Sequence, residues 1–262
     1  MKKYENVSYS KKHAESLDVY LPDAEGFRTI VYFHGGGLEG GDKAKANMAE
    51  VAQRMCDLGY GVVSANYRMY PNARYPDFLV DAADAVAYAK AHVAEWGGNG
   101  ELLIAGQSAG AWITLMLCMN RSFLWNVGVC PDEIVGWVSD SAQTTAHYSI
   151  LRYEAGLHRY AQRITEYAPQ YYVDEQTRLS RMLLIFYEND MPCRPEQNML
   201  FYRSILTFDP KADVEYRQLP GKHCHGSSKR TRMGSMHSSR RWRIGFVVRG
   251  FDWRLVTREV TS

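Results

Sequence analysis

Glu101-Leu-Leu-Ile-Ala-Gly-Gln-Ser-Ala-Gly-Ala-Trp112 holds a strand, a sharp corner and the start of a helix in one short run. Residues 102–105 are apolar throughout, the right length for a buried strand. Residues 111–119 read as a helix. Between them stands Gly106-Gln-Ser-Ala-Gly110, a serine flanked two residues away on each side by glycine. A turn this tight leaves no room for a side chain at either glycine, and its strain pushes the serine hydroxyl out above the sheet. The pentapeptide also arises by chance in ordinary sequence, so its weight comes from the strand before it and the helix after it.

Working outward, apolar runs and helical spacings alternate. Strands are expected at residues 7–9, 17–21, 29–33, 60–67, 134–138, 182–187 and 214–219. Helices are expected at 43–58, 78–96 and 195–206, with Gly59 and Gly97-Gly98 as stops. Strands alternating with helices predict an α/β fold with a doubly wound, mostly parallel sheet. Residues 141–174 break the alternation. They are polar and rich in tyrosine, with Tyr148, Tyr153, Tyr160, Tyr167, Tyr171 and Tyr172.

The 262 residues suffice for one domain with a full core. No run of 18 apolar residues occurs, so no transmembrane helix and no membrane partner are expected. The start, Met1-Lys-Lys-Tyr-Glu5, lacks the apolar stretch of a secretory signal. Cys56, Cys118, Cys130, Cys193 and Cys224 form no CxxC pair, which suggests reduced thiols and a cytoplasmic location. The net charge of +2 hides an asymmetry. Residues 226–262 carry nine basic and two acidic side chains, against 22 basic and 27 acidic in the first 225.

In open α/β sheets ligands sit at the carboxyl ends of the strands. Four motifs fall there: His34-Gly-Gly-Gly37, Ser108, Glu188-Asn-Asp190, and Gly221-Lys-His-Cys-His-Gly226. Each has an ordinary reading as a turn, a helix cap or a solvated loop. Their joint order, Ser then Asp then His, is that of one class of serine hydrolase. The chemistry calls for these types. A serine hydroxyl is a weak nucleophile until an imidazole takes its proton. A carboxylate fixes the imidazole tautomer and steadies its charged form. An oxyanion needs donors already in place, and the N–H groups of Gly36, Gly37 and Ala109 can supply three.

On these residues, with Asn66-Tyr67-Arg68 and Pro76 before its helix, the chain resembles the hormone-sensitive-lipase-like branch of the α/β-hydrolases. Within that branch it is similar to small bacterial carboxylesterases of the acetyl-xylan and feruloyl esterase type. The resemblance implies a catalytic domain over residues 1–228 with a small cap insertion at 141–180. It implies Ser108 as nucleophile, Asp190 as acid and His223 as base, with His225 and Glu188 as rivals for the last two roles. His34 is expected to be structural. Trp112 and the 141–174 stretch could line an acyl or alcohol pocket, although ordinary half-exposed packing is the commoner role of such tyrosines. The substrate would be a small-molecule ester with a short acyl chain, and no cofactor or metal is called for. An amidase or arylformamidase on the same residues is the alternative. A non-catalytic binding member of the fold is a third reading, weakened because the serine and the glycines are kept.

The resemblance stops near Ser228. An acidic amphipathic last helix is expected there, and Lys229-Arg-Thr-Arg-Met-Gly-Ser-Met-His237 stands in its place. Residues 229–262 therefore read as an atypical basic tail. No specific nucleic acid is expected, because the body is acidic. A slipped reading frame is the preferred explanation: a shifted frame restores an acidic helix start. A sheet left uncovered by that helix would favour self-association, including a homodimer.

Overall fold

A parallel strand covered on both faces must be apolar on both faces. Tyr60–Ala65 is buried at every position, with Ser64 its only polar side chain apart from the Tyr60 hydroxyl, and Phe27–Phe33 is buried at all but Arg28 and Tyr32. The computed structural model describes residues 1–45 and 47–224. The strands are β1 (Lys2–Ser8), β2 (Ser16–Leu21), β3 (Phe27–Phe33), β4 (Tyr60–Ala65), β5 (Gly98–Gln107), β6 (Ile134–Asp140), β7 (Arg181–Asn189) and β8 (Val214–Lys222). The helices are α1 (Met48–Asp57), α2 (Asp77–His92), α3 (Ala109–Met119), α4 (Ser122–Trp125), α5 (Tyr148–Ala155) and α6 (Arg194–Phe208). The eight strands form one sheet in the order β1-β2-β4-β3-β5-β6-β7-β8. β1–β2 and β2–β4 pair antiparallel, and the other pairs are parallel.

Alternation along the strands splits the core in two. Val31, Phe33, Ile104 and Leu184 pack with α2, α3 and α6. Ile30, Leu103, Ala105 and Val138 belong to a second cluster with Met48, Ala52 and Met55 of α1. α3 is buried at every position, as a helix apolar all round must be. The mostly parallel, doubly wound sheet expected from the sequence is the one observed.

Two boundaries differ from expectation for physical reasons. β1 begins at Lys2 rather than Val7. It is a charged edge strand, exposed at nearly every position, so apolar alternation cannot reveal it. α1 begins at Met48 rather than Lys43, because Lys43 is tied into the loop before it. Its Nζ lies 3.0 Å from the buried Asp18 carboxylate, its N–H donates to Asn66 Oδ1 at 2.6 Å, and its carbonyl accepts from Ser64 Oγ. His225 and the basic segment from residue 229 lie outside the described residues.

Candidate active site

The corner after β5 shows why its glycines are needed. A Cβ at Gly106 would lie 2.2 Å from Gly110 O, and one at Gly110 would lie 2.0 Å from Phe33 O. Ser108 between them is held at φ 54° and ψ −113°, a left-handed conformation costly for a residue with a side chain. Its N–H donates to Asp140 O at 2.7 Å, which locks the corner onto β6.

Ser108, Asp190 and His223 come together from three strand ends. His223 Nε2 lies 2.9 Å from Ser108 Oγ, and Nδ1 lies 2.5 Å from Asp190 Oδ1. A carboxylate can only accept, so Nδ1 carries the proton and Nε2 is left free to take one. The Asp190 side chain has no accessible surface. Burial pushes its carboxyl up. The hydrogen bond and charge of His223, the Met191 N–H at 2.6 Å and the Arg194 cation outweigh burial and hold it below the usual carboxylate value. Glu188, the rival acid, is exposed at the end of β7. His225, the rival base, lies outside the described residues.

The His34-Gly-Gly-Gly37 loop passes directly over the corner. A Cβ on Gly35 would lie 3.2 Å from Ser108 Cβ. Gly36, at φ 133°, turns so tightly that a Cβ would meet Gly40 O at 1.8 Å. No hydrogen bond among the described residues occupies the N–H of Gly36, Gly37 or Ala109. His34 is structural, as expected. Its ring is buried, stacks on Tyr67 at 4.5 Å, and donates from Nδ1 to Gly35 O at 2.8 Å. Burial lowers its pKa and keeps it neutral. Tyr67 Oη donates to His34 O at 2.7 Å, and Arg68 forms a two-pronged pair with Asp81 at 2.7 and 2.8 Å. Each residue of Asn66-Tyr67-Arg68 thus ties one loop in place.

Sequence reasoning missed two charged groups beneath the site. Asp140, at the end of β6, is buried, and this drives its carboxyl up to about 7. The bonds from Gln107, Ser141 and Tyr187 oppose that rise, and the nearby Asp190 charge adds to it. Arg194 opens α6 and is buried, with Nη1 donating to Ser141 O at 2.5 Å. α6 also holds the loop after β6. Asn198 Nδ2 donates to Ala142 O, and Gln197 Oε1 accepts from the Thr144 and Thr145 N–H groups. The one local hint was the Arg194-Pro195 pair four residues past Asp190, a helix start beside an acid.

Residues 141–180 lie between β6 and β7, and α5 within them is strapped to the glycine loop. Ser149 Oγ donates to Gly37 O at 2.5 Å and lies 2.8 Å from Glu39 Oε1, while Arg152 bonds Glu39 Oε2 at 2.6 Å. His147 caps α5, its Nδ1 accepting from Ser149 N–H. Trp112 does not line a pocket. It is fully buried, with its ring edge against Phe78 and His147, and Nε1 donates to Tyr167 O at 3.1 Å. Its role is to anchor the segment. Of the six tyrosines, Tyr148 reaches the glycine loop. Tyr153 stacks on Tyr70, and Tyr167 packs against Tyr75.

Residues 17–127 match the family model BD-FAE. The chain is 28% identical over 120 residues to a probable carboxylic ester hydrolase, LipM, of Mycobacterium tuberculosis, covering 44% of this chain and 28% of that one. It is 37% identical over 97 residues to the versiconal hemiacetal acetate esterase of Aspergillus parasiticus, covering 36% and 29%. The alignments therefore span under a third of these relatives' lengths. Among solved structures it resembles a truncated carbohydrate esterase from gut microbiota, with TM-score 0.70 at 15% identity over 85% of this chain and 89% of that one. It also resembles a propionate-bound esterase of Thermogutta terrifontis, with TM-score 0.65 at 19% identity over 83% and 84%. The chain has the α/β-hydrolase fold. The BD-FAE match covers the glycine loop and Ser108 but ends before Asp190 and His223. The contact between the two halves is visible only in three dimensions.

Proposed function

We propose that the chain is a serine carboxylesterase that hydrolyses short-chain acyl esters. The observation that carries this reading is the continuous line from Ser108 Oγ through His223 to Asp190 Oδ1. Ser108 attacks the ester carbonyl while His223 Nε2 takes its proton. The N–H groups of Gly36, Gly37 and Ala109 receive the oxyanion. His223 returns the proton to the departing alkoxide, leaving an acyl-Ser108. Water, deprotonated by the same nitrogen, then releases the acid and restores the serine. Asp190 stays ionised and steadies the imidazolium. No step calls for a cofactor or metal.

The short acyl preference is supported by the small size of the 141–180 insertion and by the lack of a long apolar run that could line a channel for a fatty chain. It is also supported by the acetate and propionate in the descriptions of two related esterases. Among the described residues no helix is long and apolar enough to cross a membrane. None of the five cysteines is joined in a disulfide.

The test is turnover of p-nitrophenyl acetate, butyrate and octanoate, with methyl ferulate and N-formylkynurenine alongside. Acetate or butyrate should lead. Ser108→Ala should abolish turnover and labelling by a fluorophosphonate probe without loss of fold. Asp190→Asn should slow kcat by about 10⁴-fold through the wrong imidazole tautomer. Unimpaired turnover by Ser108→Ala would sink the assignment, and faster hydrolysis of N-formylkynurenine would move it to the amide reading.

A further inference from the structure

Tyr148 stands at the first position of α5, far in sequence from every motif of the site. Its hydroxyl nevertheless lies against the glycine loop. A Cβ on Gly37 would sit 2.2 Å from Tyr148 Oη and 3.3 Å from its Cζ. The phenol oxygen therefore occupies the space a side chain would take, and the loop needs glycine there for room as well as for its φ of 69°. The Gly37 nitrogen is one bond, about 1.5 Å, from the Cα whose side-chain position the hydroxyl fills. A substrate oxygen held by that N–H is then within reach of the phenol.

The hydroxyl is held but unspent. Its backbone N–H donates to Gln143 Oε1 at 3.2 Å. His147 stacks on the ring at 4.5 Å, and the Arg159 guanidinium lies 5.2 Å from the ring centroid. The strap through Ser149, Glu39 and Arg152 fixes α5 to the loop one residue further on. Among the described residues no acceptor takes the phenol proton. A fixed donor without an internal partner, beside N–H groups that also lack one, is what a developing negative charge requires.

We propose that Tyr148 is a catalytic residue of this site, its hydroxyl donating a hydrogen bond to the substrate carbonyl oxygen as that oxygen becomes an oxyanion. The proposal rests on the esterase reading and adds a fourth donor, from a side chain, to the three backbone groups. No bond is made or broken at Tyr148. The phenol keeps its proton throughout and releases the oxygen when the carbonyl re-forms.

The experiment is Tyr148→Phe, which removes one oxygen and keeps the ring. Melting temperature should equal that of wild type. Turnover of p-nitrophenyl acetate should fall on the order of 10²-fold in kcat, the loss seen when one such donor is removed, with KM little changed. Affinity for a trifluoromethyl ketone, which forms a tetrahedral adduct on the serine, should weaken in step with kcat/KM. A merely structural tyrosine would lower the melting temperature and leave that correspondence absent. Unchanged kcat overturns the proposal, and so does a raised KM with kcat intact, because the bond would then serve ground-state binding alone. Should wild type hydrolyse no ester and resist the fluorophosphonate, the esterase reading itself falls. Should wild type turn over and Tyr148→Phe match it, only the role of Tyr148 falls.

Discussion

Asp140 and Asp190 end adjacent strands, and their surroundings drive their carboxyls in opposite directions. Asp140 is raised to about 7 by burial. An unfolded chain loses that proton near pH 4, so across the interval up to about 7 the folded chain holds one proton more. Stability contributed by the neutral carboxyl is therefore lost as pH rises through that window. Asp190 has the other sign. Its stabilising contribution is present above the ordinary carboxylate value and is lost as pH falls through its lowered one. Asp140→Asn has no proton to lose. Thermal melts of the two proteins between about pH 5 and pH 8 should show the wild type declining more steeply. Parallel curves would mean that Asp140 is ionised throughout. Arg194 is a buried cation whose own pKa burial lowers and whose charge favours ionised Asp190.

At the scale of elements, the strap between α5 and the glycine loop carries a separate expectation. Ser149 is fully buried, and its hydroxyl is the partner of Gly37 O. Ser149→Ala leaves that buried carbonyl unpaired, at a cost of about 1–3 kcal/mol in stability. It should also slow turnover at saturating ester, because the Gly37 peptide loses its fixed orientation. Thr207→Ala, which removes an exposed hydroxyl bonded to Arg203 O on α6, should do neither. Equal kcat in wild type and Ser149→Ala would show that the strap does not orient the loop. The same elements mark what a sequence can reveal. Ser108, Asp190, His223 and the three glycines were legible because each follows an apolar run that ends at the same edge of the sheet. Lys43 was read as helix because its ion pair with Asp18 spans 25 positions and leaves no local trace. Tyr148 was one tyrosine among six, and only the fold of residues 141–180 singles it out. Asp140 falls two residues past the apolar run 134–138, and nothing local sets it apart.

For the whole molecule, the break in charge and pattern after residue 228 sets the last expectation. The segment lies outside the described residues. α1 packs on β4 and β2, while Leu103, Val138, Leu183 and Ile185 of the same apolar cluster lie in strands further along the sheet. An acidic amphipathic helix in place of the basic tail is the element that the resemblance calls for after residue 228. A chain with the frame restored from Lys229 should melt higher and turn over faster than the chain as it stands. Resequencing the gene and melting both proteins decides it. A gene that encodes residues 229–262 as written, with no gain from the restored frame, would reject the slipped frame, and salt-dependent nucleic-acid binding would then be the next assay. The strap has a consequence for adapting this scaffold in the laboratory. On the proposed esterase reading, the α5 segment that would limit acyl size and the glycine loop that would stabilise charge are parts of one mechanical unit. Selection for bulkier acids must shift α5, and shifting α5 tilts the peptide of Gly37. Variants with a broader diet should emerge as slower enzymes, and their speed should return through second mutations at positions 38–41 rather than through further trimming of that segment.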